Sequence, residues 1–516
     1  MAINPPFVLA SIFAISLCAP AFATDPLSAI EWLEKRPKQI VVPLEPPKDD
    51  IIDEPAVAGS VVTPEVTVMP LGAPNRASAG LLPSSVTGLP RSLWQESDTD
   101  TLVSQIRALD VEKLPALQSL LYTLLLAEAD APSRVHGADF LRARVNKLLF
   151  LGAVDPASAL LARADPAHKD LFDLYFDVAL LGGDSQAPCD ALSRDPALSP
   201  DLARRIYCDA QAQNWDNAAL TLSTADAIGA LEPIDVALLE RFLDPDLFEG
   251  TRIPAPSSRP SVLQFRLFEA IGEALPTSSL PRAFSAIDLS GDAGWKAQID
   301  AAERLLRSGA ISENRLLGIY TDRIPSASGG VWDRLEAVQR LETAISSGDP
   351  ASIFKQLARA WSKMKEAELE VPFATLFSEE LLRLPSKGAD ADLITRIALL
   401  SPFYEQAVTR ETNDPLLKTA QSVALGEPNQ RSANELSIAI KSAFSGQGTP
   451  QFLTDMVSQG RLGEAILRAM ALTISGANGD TGAIQSGLAF LRSVGLEDTA
   501  RRTALQLMLL DGVFQG

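Results

Sequence analysis

Histidine is almost missing from this chain: His136 and His168 are the only two in 516 residues. A Ser-His-Asp triad or a multi-histidine metal site therefore has almost no material. Both histidines lie near helix starts or turns and read as surface or capping residues. Basic charge is also scarce, with 45 Lys and Arg against 65 Asp and Glu, a net charge of -20. Phosphate binding needs clustered cations, so nucleic acid is not an expected partner, and anionic lipid has no general attraction to such a surface. No Gly-x-Gly-x-x-Gly follows a strand and no phosphate-loop pattern occurs, so no cofactor is expected. Aromatics make up only 6% of the residues. Beyond the N-terminus no stretch is long and apolar enough for a membrane helix, so the chain is not expected to span a membrane once that region is removed.

Ala and Leu dominate the apolar residues, which total 46% of the chain. Both lead the helix-propensity ranking, so the composition favours helix over sheet. At the N-terminus, Phe7 to Ala19 is a short apolar run, and Ala21-Phe22-Ala23 supplies the small-x-small pattern of a cleavage site. Residues 1–23 thus read as a signal peptide, cut ahead of Thr24, and the expected location is the periplasm. No Lys or Arg precedes the apolar run, which departs from the usual pattern. A lipid anchor on Cys18 is the alternative, although Leu17 stands where such signals place a small residue.

Loss of that segment leaves Cys189 and Cys208, which in an oxidising compartment are candidates for one disulfide across an antiparallel helical hairpin. The alternative is a pair of unpaired buried thiols. Residues 24–36 read as a short amphipathic helix capped by Asp25, with Pro26 in its first turn. Its residues Ile30, Trp32 and Leu33 are candidate anchors for docking into a groove, whether of a partner or of the chain itself. From Pro37 to Pro90 there are ten prolines in 54 residues. Such spacing forbids helix and weakens strands, so 37–96 is expected to be an extended or disordered linker.

From 97 to 516 the pattern is helix after helix, with apolar residues at helical spacing over Lys113–Ala129, Ser261–Leu275, Ala293–Ser308, Val331–Ser346, Ala351–Lys365 and Gln485–Val494. The breaks are short and share a grammar. Leu148-Leu149-Phe150-Leu151-Gly152 precedes Leu160-Leu161, and Leu305-Leu306-Arg307-Ser308-Gly309 precedes Leu316-Leu317. Gly460 and Gly495 stand in related breaks. Each reads as a helix, a glycine able to take the left-handed cap, and a second helix returning along the first.

These hairpins resemble those of tetratricopeptide-type α-solenoids, in which a small residue ends one helix and an early Ala lets the next pack closely. Gly460 with Ala465, and Trp215 with Ala218, sit where that pattern places them. The resemblance covers about five of some ten hairpins and lacks a regular 34-residue period. It implies an all-α, irregular α-solenoid of antiparallel hairpins, preceded by the proline-rich arm and offering a curved surface to partners.

Catalytic patterns are few. Ser352-x-x-Lys355 and Ser362-x-x-Lys365 have the serine–lysine spacing of penicillin-binding proteins, but the companion motifs are missing and both fall in one amphipathic stretch. Some soluble lytic transglycosylases resemble the chain in placing a helical solenoid before a catalytic domain with a Glu-Ser pair. Glu96-Ser97 exists here, without the Gly-Leu-Met-Gln run that accompanies the enzymes' motif, and reads as a capping segment. The loop 326–330, with Arg323 and Trp332 beside it, reads as an inter-helix turn in preference to a binding loop. The expectation is a scaffold or complex subunit that binds other envelope proteins; the alternative is an enzyme acting on envelope glycans through carboxylates that the sequence does not single out.

Overall fold

The computed structural model describes residues 76–514 except 135, 136, 253, 291 and 429–433. The expected signal peptide, the 24–36 helix with Ile30, Trp32 and Leu33, Cys18 and His136 all lie outside the described residues. Among those described there are 24 α-helices and no strands, only the isolated bridges Leu82–Ala127 and Asp98–Ser133. The fold is all-α, built of successive antiparallel helix pairs in a helical-repeat arrangement.

Local sequence explains the punctuation. Asp349-Pro350 opens the helix Pro350–Lys365 and Asp414-Pro415 opens Pro415–Ala424. In each, the carboxylate accepts from the first free backbone amides while proline takes a position with no hydrogen bond to lose. Gly152 ends the helix Asp139–Leu151 at φ 85°, and the chain returns as Val154–Ala162. Gly309, Gly460 and Gly495 also have positive φ, at 69°, 77° and 85°. At the Leu202–Gln211/Trp215–Ala227 hairpin the left-handed turn residue is Gln213, at φ 63°. Ala218 there is fully buried, and so is Ala465 after Gly460.

Two hydrophobic cores result. The smaller one gathers Phe172, Phe176, Ile206, Tyr207, Leu238, Leu239 and Phe268 into a lobe spanning residues 172–268. Cys189 and Cys208 sit in this lobe on adjacent helices, with their sulfurs bonded at 1.98 Å. The larger core runs from Leu89 to Val513. After the lobe, the chain comes back against the helix it left: Ser308 Oγ donates to the Leu151 carbonyl at 2.6 Å.

The array closes on itself. Pro115–Leu126 packs against Glu497–Leu509, and Thr99–Ala108 against Leu462–Gly476. At this seam Gln506 Oε1 accepts from the Ala116 amide at 2.9 Å. The Glu464 side chain is fully buried there, held bidentately by Arg461 at 2.7 Å and by Arg468 at 3.0 Å. A curved surface with two free ends is therefore replaced by a sealed one.

The seam also corrects the expected extent of the linker. Residues 76–96 are folded: Leu93 is fully buried, Trp94 is 2% exposed, and the Trp94 ring meets Phe140 edge-on at 5.5 Å. Prolines at 83 and 90 sit where helical turns begin, at Ser84–Thr87 and Arg91–Trp94, so they start structure there. Buried Arg144 fastens the segment by donating to the carbonyls of Ala79, Leu125 and Ala127. Desolvation lowers its pKa to about 10, which still leaves the guanidinium charged at neutral pH.

Candidate functional site

The turns on one side of the seam border an open cavity of about 880 Å³. Its walls come from five places far apart in sequence: the turn 110–114, the turn 309–313, the start of the helix Glu370–Leu382, the end of Leu462–Gly476, and the stretch 510–513. A volume of this order suits a small ligand or a few residues of an extended chain.

Several wall residues are locked. Gln118 Nε2 donates to the carbonyls of Glu112 and Arg307, both at 2.9 Å. Tyr122 Oη donates to the Ser308 carbonyl at 3.1 Å, and burial holds its phenol well above the ordinary range. Arg307 donates to the Ala367 carbonyl at 3.1 Å. Glu112 pairs with Arg282, and Asp511 with Lys365.

Glu370 is different. It is the first residue of its helix and only 9% exposed, and no other side chain among the described residues hydrogen-bonds its carboxylate. Burial, with contributions from the nearby charges of Asp511 and Glu368, pushes its pKa up to about 7; its own backbone N–H and the Lys365 cation pull in the opposite direction. Glu368 lies two residues earlier, in the left-handed region at φ 57°. That is the position after a helix end where glycine is the usual occupant. Among the described residues Asp110, Glu313, Glu368 and Glu370 are the wall carboxylates with no ion pair, and Lys113 is a wall lysine with none.

The other sequence candidates fall elsewhere. Ser352, Lys355, Ser362 and Lys365 all belong to Pro350–Lys365; the Ser352 amide caps onto Asp349, and Lys365 is taken up by Asp511. Ser97 is fully buried at the seam and Asp98, not the Glu96-Ser97 pair, caps Thr99–Ala108. His168 Nδ1 accepts from the Asp170 amide at 3.3 Å within a turn. Trp332 is half-buried against Trp295, with ring centroids 5.1 Å apart, and Arg323 pairs with its neighbour Asp322. Among the described residues no group of three or more His, Cys, Asp or Glu is placed to hold a metal ion, and no helix is long and apolar enough to cross a membrane.

Sequence reasoning missed Glu313, Glu368 and Glu370 because nothing local joins them. The one signal was a glutamate, Glu368, at a helix end in place of the expected glycine. No family model matches this chain, and no curated protein or solved structure matches it either.

Proposed function

We propose that this is an exported, periplasmic interaction protein of tetratricopeptide-like hairpins, working as a scaffold or subunit of an envelope complex, and that the seam cavity is its binding site. The observation that carries this is the origin of the cavity walls: five distant segments meet there only because the array closes. The disulfide between Cys189 and Cys208 supports an oxidising compartment. The N-terminal arm, with Ile30, Trp32 and Leu33, adds a second point of attachment to other envelope proteins.

The test is in-cell crosslinking followed by pull-down, comparing the mature chain with Thr375→Trp, which fills the cavity, and with a form lacking residues 24–75. Specific partners lost with Thr375→Trp support the cavity; loss on deletion alone assigns recognition to the arm. An unchanged set of partners in both variants refutes the reading.

A second reading rests on Glu370. A carboxyl group with a pKa near 7 is suited to give a proton at neutral pH, as an acid in glycan cleavage does. Asp110, Glu112, Glu313, Glu368 and Asp511 are the other carboxylates on the wall from which a pair would be drawn. Release of soluble fragments from purified peptidoglycan, abolished by Glu370→Gln, would establish it; no release by the wild-type protein would dismiss it.

A further inference from the structure

We propose that the outward face of the helix Trp215–Ala227 is a docking surface for one amphipathic helix of a partner protein, apolar along its centre and carrying Lys or Arg at both ends. The surface lies on the 172–268 lobe and does not depend on the reading of the seam cavity.

This helix is covered on one side only. Ala218, Leu222 and Ala225, at the i, i+4, i+7 spacing of a single face, are buried against the lobe. Thr221 is half-buried, and the other nine residues are exposed. A solvated helix face is ordinarily marked by long charged side chains, as on Pro350–Lys365, where Lys355, Arg359 and Lys365 stand in water. Trp215–Ala227 contains no Lys, Arg or Glu. At about 100° per residue, Trp215, Ala219, Leu220, Ser223 and Ala227 share one arc of about 140° on the open side. Trp215 is 49% exposed and Leu220 67%. A lone exposed leucine carries no message; an arc of this width without a long charged side chain is the composition of a covered face.

Two features suit the arc to a helix. Ala219, Ser223 and Ala227 form a low i, i+4, i+8 row between the larger Trp215 and Leu220, a shape that admits the ridge of a second helix. Ser223 and Thr224 turn their hydroxyls onto the Leu220 carbonyl, at 3.0 and 2.7 Å, so covering them strips few hydrogen bonds to water.

Charge selects the occupant. From 206 to 240 there are six carboxylates and no Lys or Arg. Among the described residues Asp216 and Asp226, one at each end of the arc, have no ion pair. The cations of the two neighbouring helices reach toward other segments: Arg204 to Asp173 and Asp177, Arg205 to Pro196, Arg241 to Thr251 and Arg252. Asp216 and Asp226 are about 15 Å apart along the axis, so the matching cations of the partner helix stand about ten residues apart. A second copy is a poor occupant. Paired parallel, each aspartate meets its own copy; paired antiparallel, Asp216 meets Asp226, and like charges face each other either way.

The test is photocrosslinking in cells with benzoylphenylalanine in place of Leu220 and, as control, in place of Phe452, a half-exposed aromatic outside the lobe. Mass spectrometry identifies the captured segment. One partner segment, apolar at helical spacing with Lys or Arg about ten residues apart, should be captured from 220 and not from 452. A synthetic peptide of that segment should bind the purified mature protein. Leu220→Lys should weaken it at least tenfold, and Asp216→Asn combined with Asp226→Asn should flatten its salt dependence; melting curves establish that these variants are folded. Capture of a second copy, of residues 24–75 of the same chain, or of a segment without cations assigns a different occupant and overturns the proposal. So does the absence of any crosslink, equal capture from 452, or peptide binding that Leu220→Lys leaves unchanged.

Discussion

Replacing Glu370 with glutamine should stabilise the protein, and only above a certain pH. An unfolded glutamate releases its proton near 4.5, whereas Glu370 in the fold holds it until about 7. Between those values the folded state binds more protons than the unfolded one, so this group's contribution to stability falls as pH rises from about 4.5 to 7. The displacement is two to three pK units at about 1.4 kcal/mol each, which puts the net cost of the ionised carboxylate on the order of 3 kcal/mol above pH 8. One effect opposes it: as the first residue of its helix, Glu370 meets the positive end of the dipole, worth about 0.3–1 kcal/mol. Burial is the larger effect by a factor of three or more, so the sign holds. Glutamine keeps the shape and removes the charge. Urea unfolding midpoints of Glu370→Gln and wild type should nearly coincide at pH 4.5 and separate by pH 8.5, with the variant higher. A variant that is equally or less stable at pH 8.5 would show that the carboxylate is well compensated in the fold and refute the argument.

Three further outcomes follow from the geometry. A methyl group at Gly463 would sit 2.4 Å from two atoms of the Trp94 ring and 2.8 Å from the Leu93 carbonyl. Gly463→Ala should thus cost about 1–3 kcal/mol by overpacking, although Ala is the better helix former by up to 1 kcal/mol; a stabilised variant in thermal melts would mean the seam is loose there. Glu368→Gly relieves the left-handed turn and should gain about 1 kcal/mol, read as a higher urea unfolding midpoint; an unchanged or lower midpoint would refute the strain argument. Reduction of Cys189–Cys208, separated by 19 positions, should lower the stability of the 172–268 lobe by about 3 kcal/mol; hydrogen exchange that is unchanged in that lobe under reducing conditions would contradict this.

What could be read from the sequence was what is local. The helices at Val331–Ser347 and Pro350–Lys365 match their periodic stretches to within a residue, because capping groups and apolar spacing both lie inside the segment. The glycine breaks at 152, 309, 460 and 495 were legible for the same reason, since a left-handed cap leaves its residue type in the chain. Proline density misled between 76 and 96. There Leu93 and Trp94 supply a buried anchor that outweighs local extension, and the acceptors that hold the segment belong to residues it meets only in the fold.

The cavity belongs to a different class of feature. Glu370 is unremarkable beside Glu366, Glu368 and Glu379 until burial and the charge of Asp511, from the returning C-terminal stretch, act on it. Closure in turn depends on groups chosen for partners far along the chain. Gln506 is 1% exposed and its side-chain oxygen is spent on an amide 390 positions away. Gln105 reaches Glu464, whose buried charge is tolerable because Arg461 and Arg468 surround it. In an open solenoid these polar groups would face water and be replaceable; at the seam each loss leaves an unsatisfied buried partner, which costs about 1–3 kcal/mol. The same closure that hides the ends of the repeat from water therefore assembles the wall of carboxylates, so stability of the seam and occupancy of the cavity are coupled through shared elements.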